Sequence, residues 1–86
     1  MLTKEEGKKI KKLFGYRYAN KILAIFKNEN FLQENGEEYG SAAIRNWANG
    51  LEVSERLDGF CLEAVAIYKK DKKARESRRK EILANV

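Results

Sequence analysis

The chain has 86 residues, enough for one small core but not for a large catalytic architecture, since domains commonly run to roughly 100 to 150 residues. Lys plus Arg number 18 against 13 Asp plus Glu, a net charge of +5, and 36% of the residues are charged where an average domain has about 25%. Histidine and proline are absent and Cys61 is the single cysteine, which excludes a Ser-His-Asp or Cys-His couple, a cysteine zinc site and an intrachain disulfide, and points to helices.

Thr3, followed by Glu5 and Glu6, supplies a hydroxyl cap and first-turn acids for a helix running to about Phe14. Ile10, Leu13 and Phe14 fall at i, i+3, i+4, Lys8, Lys9, Lys11 and Lys12 cover the rest of the surface, and Gly15 ends the segment. A second amphipathic helix is predicted from about Arg17 to Asn28, with Tyr18, Ile22, Ile25 and Phe26 on one face and Ala19 and Leu23 beside them. Residues 29–40 lose the helical period. Asn35-Gly36 suits a tight turn with positive φ at both central positions, which sets Leu32 and Tyr39 across a short hairpin. A third helix fits Ser41 to Asn49, closed by Gly50 as a left-handed cap.

Ser54 is a good N-cap for a fourth helix, with Leu57, Phe60, Cys61, Ala64, Val65 and Tyr68 as its apolar stripe. Beyond Tyr68 the pattern stays helix-compatible but has no apolar face until Ile82 and Leu83. A helix from Ser54 to about Leu83 is roughly 45 Å long, whereas a domain of this size is about 25 to 30 Å across. Its last third must protrude, fray or find a partner. The expected organisation is one helical domain over residues 1–68 and a basic helical extension over 69–86.

The net charge conceals a segregation. Residues 1–28 carry eight basic and two acidic side chains, residues 29–68 two and eight, and residues 69–86 eight and three. Two positive ends around a negative middle suit contact with a polyanion through the ends, because Lys and Arg clusters supply the sequence-independent part of nucleic-acid affinity. A solvated basic helix face is the plainer alternative for both ends. The N-terminus shows no apolar signal region, and the longest strongly apolar run is Ile22 to Phe26, far short of the roughly 20 residues of a spanning helix. With a lone cysteine, this gives the expectation of a cytoplasmic protein that does not enter membranes.

Ile44-Arg45-Asn46-Trp47-Ala48-Asn49-Gly50 resembles the end of the recognition helix in phage-repressor-like (lambda-repressor-type) helix-turn-helix domains, where an Ile-x-x-Trp-x-Asn-Gly pattern is common. Gly36-x-x-Tyr39 is similar to the entry of the DNA-reading helix in serine recombinases and some small phage or mobile-element proteins. The resemblance covers about residues 17–68. It departs at Glu34, where the motif's first helix has a small residue, and at Glu38, where its turn usually has Gly, so the first helix is atypical or replaced by the Asn35-Gly36 turn. It implies an all-α fold: a small bundle of four to five helices with a helix-turn-helix-like element and a long C-terminal helix.

On a 100° wheel Ile44, Trp47 and Ala48 form one side of the third helix, and Ala42, Arg45, Asn46 and Asn49 the opposite arc. The second group suits bases: Arg binds guanine and Asn adenine bidentately, and an Ala methyl touches that of thymine. Ser41, Lys8, Lys9, Lys11, Lys12, Arg17, Lys21, Lys69, Lys70, Lys72, Lys73, Arg75, Arg78 and Arg79 are the candidate phosphate contacts. Trp47 and Cys61 read as core, and Tyr16, Tyr18, Tyr39 and Tyr68 as core or rim.

The leading expectation is a DNA-binding transcription regulator or phage-like accessory protein, a homodimer through the C-terminal helix, with no cofactor, metal or small-molecule substrate. The alternative is a helical interaction or dimerisation module that does not bind DNA. An enzyme is the weakest reading, because Glu29, Glu34, Glu37 and Glu38 lie in a turn region without a companion base.

Overall fold

Four helices make the fold: α1 (Lys4–Phe14), α2 (Tyr18–Glu29), α3 (Ser41–Ala48) and α4 (Glu55–Ala84). They are seen in a computed structural model that describes residues 2–84. Among the described residues there is no strand, and the architecture is a small all-α bundle.

Each helix end has a local cause. At the start of α1 the Thr3 hydroxyl accepts from the Glu6 amide at 3.1 Å while Glu6 Oε1 accepts from the Thr3 amide at 2.9 Å, a reciprocal capping box. The bond from the Thr3 amide also holds the Glu6 carboxyl below its ordinary range. α2 stops where Asn30 takes the left-handed conformation (φ 59°); the Phe31 amide then donates back to the Phe26 carbonyl at 2.9 Å, and the two rings meet edge to face. α3 closes likewise at Gly50 (φ 75°), with the Leu51 amide donating to the Asn46 carbonyl and the Gly50 amide to that of Trp47. Ser54 caps α4 by accepting from the Leu57 amide at 3.1 Å.

The connector from 30 to 40 differs from the hairpin expected of Asn35-Gly36. It contains no ladder, only a closed turn in which the Gly36 amide donates to the Gln33 carbonyl and the Gln33 amide to the Glu37 carbonyl. Asn35 does not take positive φ; only Gly36 does, as in hairpin loops that place a glycine bulge after the turn. The Asn35 side chain instead accepts from the Glu37 amide, so the segment is satisfied locally. Its Phe31 stacks on Phe60 of α4 with ring centroids 4.5 Å apart, and Tyr39 meets Phe26 and Phe60 edge to face. These aromatic contacts, not strand pairing, hold the connector down.

The core gathers the predicted stripes of all four helices, with Trp47, Phe14, Ile22, Ile44 and Cys61 its largest fully buried side chains. Two glycines let backbone meet backbone. A Cβ on Gly7 of α1 would lie 2.1 Å from the Ala48 carbonyl oxygen of α3, and one on Gly50 would lie 2.9 Å from the Leu2 carbonyl oxygen. α1 is therefore seated directly on the C-terminal end of α3.

α4 keeps its buried residues Leu57, Cys61 and Ala64 in its first three turns, and every described residue from Lys69 onward is exposed. The protrusion expected from helix length is present: the chain extends 50 × 29 × 18 Å with a radius of gyration of 14.7 Å. A compact chain of this length has a radius near 12 Å.

Gly7→Ala is expected to destabilise the protein by about 1 to 3 kcal/mol, the cost of overpacking exceeding the gain of up to about 1 kcal/mol in helix propensity. Gly59 of α4 has nothing within 4 Å of an added Cβ. Gly59→Ala is expected to stabilise by about 0.5 to 1 kcal/mol, and urea midpoints of the two variants give opposite signs if the packing is as described.

Candidate nucleic-acid interface

α3 divides as its wheel predicts. Ile44 and Trp47 are fully buried and Ala48 nearly so, whereas Ala42, Arg45, Asn46 and Asn49 are exposed. The buried side is fixed by more than apolar contact. The Trp47 indole N–H donates to Asp58 Oδ1 at 2.8 Å, tying α3 to the first turn of α4 and satisfying the polar atom of a ring with no exposed surface. An indole fully engaged inside is unavailable for stacking on a base.

The exposed side is bordered by the α1 to α2 joint. Lys11 Nζ donates to Asn49 Oδ1 at one end of α3, and Arg45 shares an open cleft with Tyr16, Arg17 and Asn20. Ser41 is the first helical residue, after Gly40 as N-cap, and its hydroxyl lies 3.5 Å from Arg45 Nη1. Bidentate recognition of adenine needs both the amide oxygen and the amide nitrogen of an asparagine. In Asn49, the C-cap of α3, Lys11 takes one of the two lone pairs of that oxygen, whereas Asn46 within α3 has no such tie to Lys11.

The fold treats the candidate phosphate residues unequally. Lys8, Lys9 and Lys12 are exposed along α1 and Arg17 in the joint that follows it, and Lys69, Lys70, Lys72, Lys73, Arg75, Arg78 and Arg79 all lie on the exposed part of α4. Lys11 and Lys21 have partners inside the protein. Lys21 Nζ donates to the Phe14 carbonyl at 2.6 Å, a cation on the C-terminal end of α1, and Lys11 also lies 5.7 Å from the Tyr18 ring centre. Two acids of the connector line different depressions: Glu34 shares one with Ser54 and Arg56 at the start of α4, and Glu38 another with Lys27 and Leu23 of α2. Arg56 is held there by donating to the Leu32 carbonyl at 2.8 Å, with its guanidinium 5.0 Å from the Phe60 ring centre.

Tyr16 departs from its expected place in the core or rim. It is 97% exposed, beside Gly15 (φ 85°) in the α1 to α2 joint. No wheel position signals this, because the residue lies between two helices rather than on one.

Residues 30–40 form no helix, so an eleven-residue connector separates α3 from α2, where a helix-turn-helix commonly has three or four residues. The architecture is consistent with a helix-turn-helix-type fold in which α2, not a segment of the connector, precedes and packs on α3. The chain matches no protein-family model, and neither a curated protein nor a solved structure matches it significantly. Among the described residues no helix is long and apolar enough to cross a membrane, and no group of three or more His, Cys, Asp and Glu side chains is placed to hold a metal ion.

Cys61 is buried on the inner face of α4, and burial, aided by the negative charge of Asp58, pushes its thiol up to about 12. An unfolded thiol ionises near 8.5, so the neutral form favours the fold fully below that pH, and this advantage is lost as pH rises toward 12. The wild-type protein is expected to lose on the order of 1 kcal/mol of stability per pH unit above about 9 relative to Cys61→Ala, as read from paired denaturation curves. An identical pH dependence in the two proteins contradicts this.

Proposed function

We propose that the protein binds double-stranded DNA, as a small transcription regulator or an accessory protein of the phage or mobile-element kind, with α3 entering the major groove. The observation that carries the reading is the division of α3: a buried side fixed by Trp47 and Ile44, and a free side bearing Ala42, Arg45, Asn46 and Asn49. In this reading Arg45 and Asn46 contact base edges, Ala42 packs against a thymine methyl, and Asn49 contributes its amide N–H while Lys11 holds its oxygen. Lys8, Lys9, Lys12 and Arg17 flank the groove at phosphates, together with Ser41 at the start of α3. The chemistry is recognition without a catalytic step.

The protruding half of α4 supports one of two roles. Its eight basic residues contact phosphates, or it joins a second copy to make the two-fold dimer that reads paired half-sites. The exposure of Ile82 and Leu83 at its end favours the second, and it also favours a dimerisation module that does not engage DNA.

Binding-site selection on random duplex DNA, followed by titration across salt concentrations and measurement of solution mass, distinguishes these. Neutralising about six phosphates gives a slope of log affinity against log salt near −5, and a slope near zero removes the DNA reading. Asn46→Ala is expected to cost about 1 to 3 kcal/mol on the selected sequence and to relax preference at one base pair. Removal of residues from Lys69 onward that halves the mass but leaves DNA affinity per protomer intact assigns α4 to dimerisation.

A further inference from the structure

We propose that Tyr16, Arg17 and Asn20, with Arg45 as the far wall, form a clamp for one backbone phosphodiester of bound DNA, an inference that rests on the DNA-binding reading of α3. Three observations converge on this cleft. The first is Tyr16 itself. A tyrosine ring is ordinarily drawn toward the interior, with its hydroxyl left at the edge, but this one is 97% exposed and adds nothing to the core. Gly15, at φ 85°, makes the turn between α1 and α2 that leaves Tyr16 outside both helices.

The second is the composition of the cleft. Its lining residues are Tyr16, Arg17, Tyr18, Ala19, Asn20 and Arg45, whose side chains include two guanidinium groups, two phenol hydroxyls and an amide, and no carboxylate. Planar guanidinium forks match phosphate oxygens, and tyrosine and asparagine side chains are ordinary donors to the DNA backbone. The third is position. Arg45 belongs both to this cleft and to the free side of α3, so a strand whose bases meet α3 passes the cleft with its backbone.

The occupant is therefore a diester oxygen of the strand being read, held by the Arg17 guanidinium and the Tyr16 hydroxyl while Arg45 stays available to the adjoining base. The clamp fixes the register of α3 in the groove. This assigns Tyr16 a role in binding that its sequence position does not reveal, and it gives Arg17 a different task from the lysines of α1, which need only lie near the strand.

The test uses the full chain, with the duplex obtained by selection and an unrelated duplex of equal length. Because a hydrogen bond to a charged group is worth roughly 1.5 kcal/mol or more, Tyr16→Phe and Tyr16→Ala are each expected to weaken binding by about tenfold on both duplexes, with unchanged thermal midpoints. Arg17→Ala is expected to do the same and to lower the magnitude of the salt slope by about one. Wild-type affinity in both Tyr16 variants overturns the clamp while leaving the DNA reading intact, as does a loss confined to Tyr16→Ala, which assigns the effect to the ring and not to a phosphate bond. A wild-type protein that binds neither duplex overturns the DNA reading and the clamp together. Inorganic phosphate is expected to leave the Arg17 side-chain NMR signals unmoved at millimolar concentration; saturable shifts abolished by Tyr16→Phe identify a free-anion site and overturn the assignment to DNA backbone.

Discussion

The contact on which the arrangement depends is the approach of Gly7 to the Ala48 carbonyl. At any other residue a Cβ would stand 2.1 Å from that oxygen, so the separation of α1 and α3 is set by the absence of one carbon atom. Gly50, two residues beyond Ala48, repeats the device against the Leu2 carbonyl. Together they clamp the C-terminal end of an eight-residue helix that has too few turns to be stable alone. Trp47 completes the attachment from the other side by filling the core and donating its indole N–H to Asp58. A helix fixed at its end and along its buried side presents its free side rigidly, and recognition of any shape-specific partner requires that rigidity.

The same attachment orders the charges. Seating α1 on the end of α3 brings Lys11 onto Asn49 and carries the α1 to α2 joint past Arg45. Cations separated in sequence by more than twenty residues thereby border one surface. Of the acidic middle third, Glu34 and Glu38 line separate depressions, the first together with Arg56 and the second together with Lys27.

Features set by local periodicity and capping are legible in the sequence. The two sides of α3, the Thr3 and Ser54 caps, the Gly50 stop and the overlong α4 all follow from residues within one or two turns of each other. The rest depends on distant partners. Asn35-Gly36 has the composition of a two-residue hairpin turn, but the aromatic packing of Phe31 and Tyr39 on Phe26 and Phe60 decides the path of the connector. Lys11 and Lys21 look like solvated cations on a helical wheel, yet one is drawn to an asparagine 38 residues away and the other to the last carbonyl of α1. The two sides of α3 are readable from its period, whereas the exposure of Tyr16, expected in the core or at its rim, is not, because a joint between helices has no period to read.

The exposed half of α4 needs a different explanation, because burial does not hold it. An isolated helix of its length is marginal in water, chiefly because nucleation is costly. Here the turns around Leu57, Cys61 and Ala64 are already fixed by the core, so residues 69–84 only have to propagate an existing helix. Propagation works against the mutual repulsion of eight basic side chains offset by three acidic ones. An anionic or apolar partner along this segment removes part of that repulsion or covers Ile82 and Leu83, and in either case its binding is coupled to helix stability at the end farthest from the core. The packed body and the extension consequently respond to different forces: apolar burial and close backbone contact govern the first, and ionic strength governs the second.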